Sequence, residues 1–201
     1  MTTSPAIGVF ALQGDVREHL RMLADAGAEP RRVRRPTELA GLDGIVLPGG
    51  ESSTMHKLAV VFDLFQPLRD AIRSGLPAFG TCAGMIMLAD RIEGGIDGQE
   101  TFGGLDVTVR RNAFGRQVDS FEADVDFVPF DSAFHAVLIR APWVEKVGQH
   151  TQVLASVSTG PATGRIVAVA QGNLLATSFH PEISGDDRVH RYFVDLVRAR
   201  R

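Results

Sequence analysis

The chain has 201 residues, 44 % of them hydrophobic, and its 24 acidic and 21 basic side chains leave a formal net charge of −3. That length fits one α/β domain able to bury a substantial core. The charge balance supplies no field for nucleic acid or an anionic membrane, which leaves a small-molecule substrate or a protein partner.

The opening "MTTSPAIGVFALQGD" (1–15) has no basic leader region and its apolar stretch is cut short at Gly14-Asp15, so no export is implied and a cytoplasmic protein is expected. Within it "AIGVFAL" (6–12) reads as a strand, and "DVREHLRMLADAG" (15–27) as a helix with Val16, Leu20, Leu23 and Ala24 facing inward. The run "RRVRR" (31–35) reads first as a solvated edge and second as a docking patch. "LDGIVLPGG" (42–50) is a buried strand and a Pro-Gly-Gly turn, and 51–75 is helical in pattern with an interruption near Gln66-Pro67. "LPAFGTC" (76–82) and "AGMIMLADRI" (83–92) make a third strand, turn and helix. The uncharged apolar run Leu76 to Ala89 is shorter than the roughly 20 apolar residues that span a bilayer.

Three such units in succession argue for parallel strands joined by right-handed crossovers, with helices on both faces. Residues 93–110 are glycine-rich and read as a loop with a strand at "LDVTVRR" (105–111). Strands are then expected at 120–127, 135–142, 152–158, 165–172 and 174–182. An amphipathic helix over 186–200 closes the chain, with Val189, Phe193, Leu196 and Val197 inward. The expected fold is α/β, a three-layer αβα arrangement around a mostly parallel or mixed sheet, as one domain over 1–201.

Cys82 is the only cysteine, so it can form neither an intramolecular disulfide nor a Cys-rich zinc site. A buried small hydrophobe or a nucleophile remains. In a doubly wound sheet, ligands collect at the carboxyl ends of strands, and Gly80-Thr81-Cys82-Ala83-Gly84 has the form of a nucleophile elbow at such an end. Glycines two residues either side let neighbouring segments approach, and a helix start favours the thiolate. The alternative is a cysteine beside a glycine-rich packing contact.

"SFHPEI" (178–183) places His180 and Glu182 two apart, on one side of an extended segment that Pro181 stiffens. Glu182 can then orient His180, which would take a proton from the thiol and return it to a leaving amine. The alternative is a strand end with a surface histidine and a capping glutamate. "LPGGESS" (47–53) can point main-chain N–H groups of Gly49 and Gly50 into the same crevice. With the Ala83 N–H, Gly50 would complete an oxyanion hole, while Ser52 or Ser53 could cap the following helix.

Together these segments resemble the class I (triad) glutamine amidotransferases, which hydrolyse the side-chain amide of glutamine with Cys, His and Glu. Within that class, "LQGDVREH" (12–19), "LPGGESSTM" (47–55), "FGTCAGMI" (79–86), "RNAFGRQVDSFEADV" (111–125), "IRAP" (139–142) and "SFHPE" (178–182) are similar to the glutaminase subunits of pyridoxal 5′-phosphate synthase, the PdxT/SNO family. The resemblance implies a flavodoxin-like fold and release of ammonia to a separate synthase partner of the PdxS/SNZ type, a (β/α)8 barrel. It makes Cys82 the nucleophile, His180 the general base and acid, and Glu182 the orienting carboxylate. It also assigns Gly49, Gly50, Glu51, Arg111, Ile139 and Arg140 to L-glutamine binding. An arginine suits the α-carboxylate and a carboxylate the α-ammonium, and the sequence leaves open which of Arg111 and Arg140 meets the carboxylate. The alternative within the class is the glutaminase of imidazole glycerol phosphate synthase, against which residues 111–125 argue.

His19, His56, His135, His150 and His190 lack a nucleophile and carboxylate at telling spacing and read as surface or partner-facing, with His19 and His56 near helix starts. No Walker loop, Rossmann glycine fingerprint or metal-ligand set is present, so no cofactor and no metal are expected.

Overall fold

The computed structural model describes residues 4–111, 113, 120–160 and 162–201. Its first half alternates β1 (Ala6–Phe10), α1 (Val16–Asp25), β2 (Glu29–Val33), a 3-10 turn at Pro36–Leu39, β3 (Gly44–Leu47), α2 (Ser52–Val61), α3 (Phe65–Arg73), β4 (Ala78–Thr81) and α4 (Ala83–Leu88). The second half is mostly strand: β5 (Ala89–Glu93), β6 (Leu105–Arg110), β7 (Phe121–Val125), β8 (Phe134–Leu138), β9 (Trp143–Val147), β10 (Gln152–Ser156), β11 (Ile166–Gln171) and β12 (Leu174–Thr177), closed by α5 (Arg188–Arg198).

Strands β2, β1, β3, β4 and β12 lie side by side and parallel. Beyond β12 the sheet turns antiparallel through β11, which also pairs with β10 and touches β9, and it continues to β6 and β5. β7 and β8 form a separate antiparallel hairpin. The sheet is therefore mixed, with helices on both faces.

Alternation along the strands builds both cores at once. Ile45 and Leu47 of β3 join Met55, Leu68, Ile72 and Met85 beneath α2, α3 and α4. Val46, with Ile7, Val9 and Phe79, packs on the other face against Leu23 of α1 and Val189, Phe193 and Val197 of α5. No helix among the described residues is long and apolar enough to cross a membrane.

Several boundaries differ from the sequence expectation. The break in 51–75 falls at Phe62–Leu64, with Asp63 at φ 56°, and Pro67 sits inside the first turn of α3. A proline there loses no intrahelical hydrogen bond, so it starts a helix rather than interrupting one. The helix expected over 83–92 stops at Leu88, because residues 89–93 pair with β6. Arg91 bonds Thr108 Oγ1 at 2.9 Å and Asp106 Oδ1 at 2.7 Å across that pair. The strand expected over 135–142 ends at Leu138, and Trp143–Val147 is a separate strand.

On α1 the buried positions are His19, Met22 and Leu23, Val16 and Leu20 pack half-buried against the same core as expected, and Ala24 is exposed. On α5, Val194 and His190 are buried and Leu196 is only half-buried. The arginine run does lie on an edge strand, β2, where Arg31 pairs with Glu29 at 2.9 Å and Val33 alone turns into the core.

Candidate active site

The carboxyl ends of β1, β3, β4 and β12 converge on one crevice. Cys82 follows β4 directly, with φ 48° and ψ −103°, a combination that a residue bearing a Cβ avoids. Such a conformation costs about 1–3 kcal/mol and persists only where the surroundings enforce it. Here the Cys82 N–H donates to Thr177 O at 2.8 Å, tying the elbow to the end of β12. A Cβ on Gly80 would stand 2.4 Å from the carbonyl of Gly84, and one on Gly84 would stand 2.0 Å from Leu47 O. The two glycines let α4 fold back over its own strand and lie against β3.

His180 and Glu182 meet by a different route from the one expected. β12 ends at Thr177, and 181–183 form a turn rather than a strand. The turn still brings His180 Nδ1 to 2.7 Å from Glu182 Oε1, with the Glu182 side chain fully buried. The His180 main-chain N–H donates to Val137 O at 3.0 Å, tying this segment to β8. A Cβ on Gly49 would stand 2.3 Å from His180 Cε1, so that glycine is what lets the ring lie on the β3 turn.

Burial pushes the His180 pKa down, but hydrogen bonds involving Asp15, Cys82 and Glu182 outweigh it and carry the value up to about 12. The imidazolium form is therefore favoured once the ring has taken the proton of Cys82, whose sulfur is one of the groups that raise it. Burial raises Glu182 above the ordinary carboxylate value, and its bond to His180 acts against that shift.

One cavity of about 370 Å³ opens over Cys82, Ala83 and His180 on one side and Glu51, Arg111, Ile139 and Arg140 on the other. Gly50, at φ 149°, also lines it. Gly49 and Glu182 lie behind the cavity wall, where Gly49 supports His180. The cap of α2 is Glu51 rather than Ser52 or Ser53: its Oε1 accepts from Ser53 Oγ at 3.0 Å and from the Ser53 N–H at 3.5 Å. The same oxygen receives Arg111 Nη2 at 2.6 Å, while Arg111 Nη1 donates to Gln99 Oε1 at 2.9 Å. Arg111 Nε is buried without a partner among the described residues. Ile139 and Arg140 are exposed at the mouth, and Arg140 has φ 44°. In the motif 111–125, Asn112 and residues 114–119 lie outside the described residues.

Sequence reasoning missed four contributors: Gln13, Asp15, Gln99 and the His19–His190 pair. Gln13 Oε1 accepts the Glu51 N–H at 2.9 Å, and the Asp15 N–H donates to Gly49 O at 3.2 Å, so the turn after β1 braces the turn after β3. Gly14, at φ 107°, lies where a Cβ would sit 2.0 Å from Gly49 O, and that glycine after a strand was the available signal. Asp15 Oδ2 approaches His180 Nδ1 to 3.4 Å, giving the ring a second carboxylate. Gln99, from the glycine-rich loop, holds Arg111 and donates to Ser52 Oγ at 3.0 Å.

His19 and His190 are the fourth contribution and a correction: both are fully buried, not surface groups. Asp15, His180 and Glu182 offer ligand atoms within 4.8 Å of one another, a spacing that suits a metal. The His180 Nδ1 proton already serves both carboxylates there.

The model of the SNO glutamine amidotransferase family matches residues 9–199. A pyridoxal 5′-phosphate synthase subunit PdxT from a Nocardioides species is 68 % identical over 201 residues, covering 100 % of both chains. Its counterpart from Salinispora arenicola is 61 % identical over 198 residues, covering 98 % of each. A crystal structure of a glutamine amidotransferase superposes with a TM-score of 0.87 at 44 % identity, over 96 % of this chain and 98 % of that one. The structure of PurLQS from Thermotoga maritima contains a chain that shares the fold at a TM-score of 0.68 and 17 % identity, over 100 % of both chains.

Proposed function

This chain belongs to the SNO glutamine amidotransferase family, and on that premise we propose that it is the glutaminase subunit of a pyridoxal 5′-phosphate synthase. The observation that carries the reading is a single cavity holding a strained cysteine, a histidine paired with a buried glutamate, and an arginine–glutamate pair opposite them. The first three groups suit amide hydrolysis, and the last two suit a zwitterionic amino acid.

Cys82 transfers its proton to His180, and the thiolate attacks the side-chain carbonyl carbon of L-glutamine. The negative oxygen of the tetrahedral species meets the N–H groups of Gly50 and Ala83, where one donor is typically worth about 10²–10³ in rate. His180 gives the proton to the amide nitrogen, the C–N bond breaks, and ammonia leaves with a glutamyl thioester on Cys82. Water, deprotonated by His180, attacks the thioester; glutamate departs and the thiol regains its proton. Glu182 holds the imidazole in the tautomer that presents Nε2 throughout.

Glu51 and Arg111 fit the α-ammonium and α-carboxylate of the substrate, with Gly49 supporting the turn and Ile139 and Arg140 closing the mouth. Ammonia passes to a PdxS-like (β/α)8 barrel that assembles the coenzyme. Glutamine hydrolysis assayed with and without such a synthase partner tests the reading. Turnover that rises when the partner is added is expected; equal rates, or none in either case, count against it.

A further inference from the structure

Behind Glu182, away from the substrate, lies a chain of buried polar groups that the reaction as written does not use. Glu182 Oε1 is occupied by His180, but Oε2 is buried with no hydrogen-bond partner among the described residues. His19 Nε2 is 3.5 Å from that oxygen and 3.1 Å from Thr81 Oγ1, which immediately precedes Cys82. His19 Nδ1 in turn lies 2.9 Å from His190 Nε2. Neither ring is exposed to solvent.

The proton arrangement follows from counting donors. If His19 carried its proton on Nδ1 and gave it to His190 Nε2, His190 would bear an N–H on Nδ1, an atom that has no partner. The His19 Nε2 lone pair would also face the Glu182 carboxylate. With the direction reversed, His190 Nε2–H donates to His19 Nδ1, and His19 Nε2–H points at Thr81 Oγ1 and Glu182 Oε2. Only a bare acceptor on His190 Nδ1 is then left over, and the buried carboxylate gains a donor.

We propose that His19, held in its Nε2–H tautomer by His190, is a positioning residue for glutamine hydrolysis that supplies the second hydrogen bond to the Glu182 carboxylate. The inference rests on the glutaminase reading for its kinetic consequence but not for its proton arrangement. Burial drives the His19 pKa well below its ordinary value, and that of His190 down to about 4, so both rings are neutral and able to act as a donor–acceptor relay. The groups facing Glu182 are His180 from the same turn, Asp15 from the turn after β1, and His19 from α1. Arg17, Glu18, Arg21, Asp25 and Asp187 line a groove that Glu182 also borders. His19 is the neutral one of the three facing groups, so it can donate without adding a competing charge.

The experiment uses the full chain with its synthase partner. Replacing His19 by Phe keeps the bulk and removes the donor; kcat should fall about 10–100-fold while KM stays within about twofold, as for other groups that orient a reacting residue. His19→Gln, whose amide can offer an N–H near the Nε2 position, should recover most of the loss. Wild-type kcat in His19→Phe, or no recovery in a folded His19→Gln, would overturn the proposal. Nitrogen-15 NMR of the histidine rings in the unmodified protein reads the arrangement without substrate or variant. His19 protonated on Nε2 alone is expected, and an Nδ1–H tautomer or an imidazolium would overturn the proposal even if every variant failed to fold. Wild-type turnover of glutamine, measured first, judges the glutaminase reading separately.

Discussion

The two walls of the cavity are built on different principles. The wall carrying Cys82 and His180 is made of strand ends in the parallel half, where each turn is braced by the next: Gly14 against Gly49, Gly84 against Leu47, Gly49 against the His180 ring. The opposite wall comes from the antiparallel half. It holds Arg111 just after β6 and Ile139 and Arg140 after β8, with Glu51 of the turn after β3 paired to Arg111. The first wall is rigid because close backbone contacts leave it no alternative, as a strained nucleophile requires. The second depends on long side chains, which suits a surface that must accept and release a substrate. Reaction and recognition are thus separable, and variants on the two walls should fail in different ways.

The largest effect is expected from Cys82→Ala on the first wall. Loss of the nucleophile should remove glutamine turnover by at least about 10⁴-fold. Glutamine affinity, read by calorimetry, should stay within about threefold, because the Glu51–Arg111 pair is untouched. Residual turnover near wild type would end the assignment of Cys82, and lost affinity would mean the walls are not independent. Gly84→Ala tests the same wall through its backbone. A Cβ 2.0 Å from Leu47 O cannot be accommodated by a side-chain rotation, so β3 and α4 must separate. Chemical denaturation should show a loss of about 3 kcal/mol or more. A stability equal to wild type would show that this contact is not what holds the elbow.

On the second wall, Arg111→Ala should raise KM about 10–100-fold with kcat changed by about threefold or less, the signature of an interaction made equally in ground and transition states. Arg111→Lys should not rescue it, since one ammonium cannot reach Glu51 and Gln99 together as the guanidinium does. Steady-state kinetics decides. A fall in kcat with KM unchanged would move Arg111 from recognition to chemistry.

The first wall is also the more legible in the sequence. Cys82 and the Gly49-Gly50 turn stand at strand ends marked by glycine, His180 follows the apolar run of β12, and apolar runs of four to six residues locate those strands. The parts that escape depend on distant pairing. Nothing local to "ADRIE" says that Arg91 will meet Asp106 and Thr108 on β6, and so the expected helix is instead β5. His19 and His190 lie 171 residues apart, and each looks like a polar residue on an amphipathic helix until α1 and α5 are packed together. The spacing of His180 and Glu182 pairs them correctly for the wrong reason, since a turn and not a strand joins them. A spacing of two residues is compatible with both, and the turn seen here is held by the Ile183 N–H to His180 O at 3.3 Å and by the His180 main-chain N–H to Val137 O at 3.0 Å.

Asp15 gives the smallest effect and the finest test, because it sits where the walls meet. Its carboxylate is 3.4 Å from His180 Nδ1, half-exposed, whereas Glu182 is at 2.7 Å and fully buried. Both raise the His180 pKa, so the imidazolium that protonates the leaving amine should persist far above pH 6.5. Asp15→Asn removes the more distant of the two carboxylates, and the alkaline limb of the kcat profile should move to lower pH. A partly solvated charge is worth little, so at neutral pH kcat should drop only about threefold. The acid limb carries the opposite sign. Burial raises Glu182 above 4.5 and the negative charge of Asp15 adds to that, so Asp15→Asn should extend activity to slightly lower pH. A pH profile narrowed on its alkaline side and widened on its acid side is a result that loss of packing alone would not give.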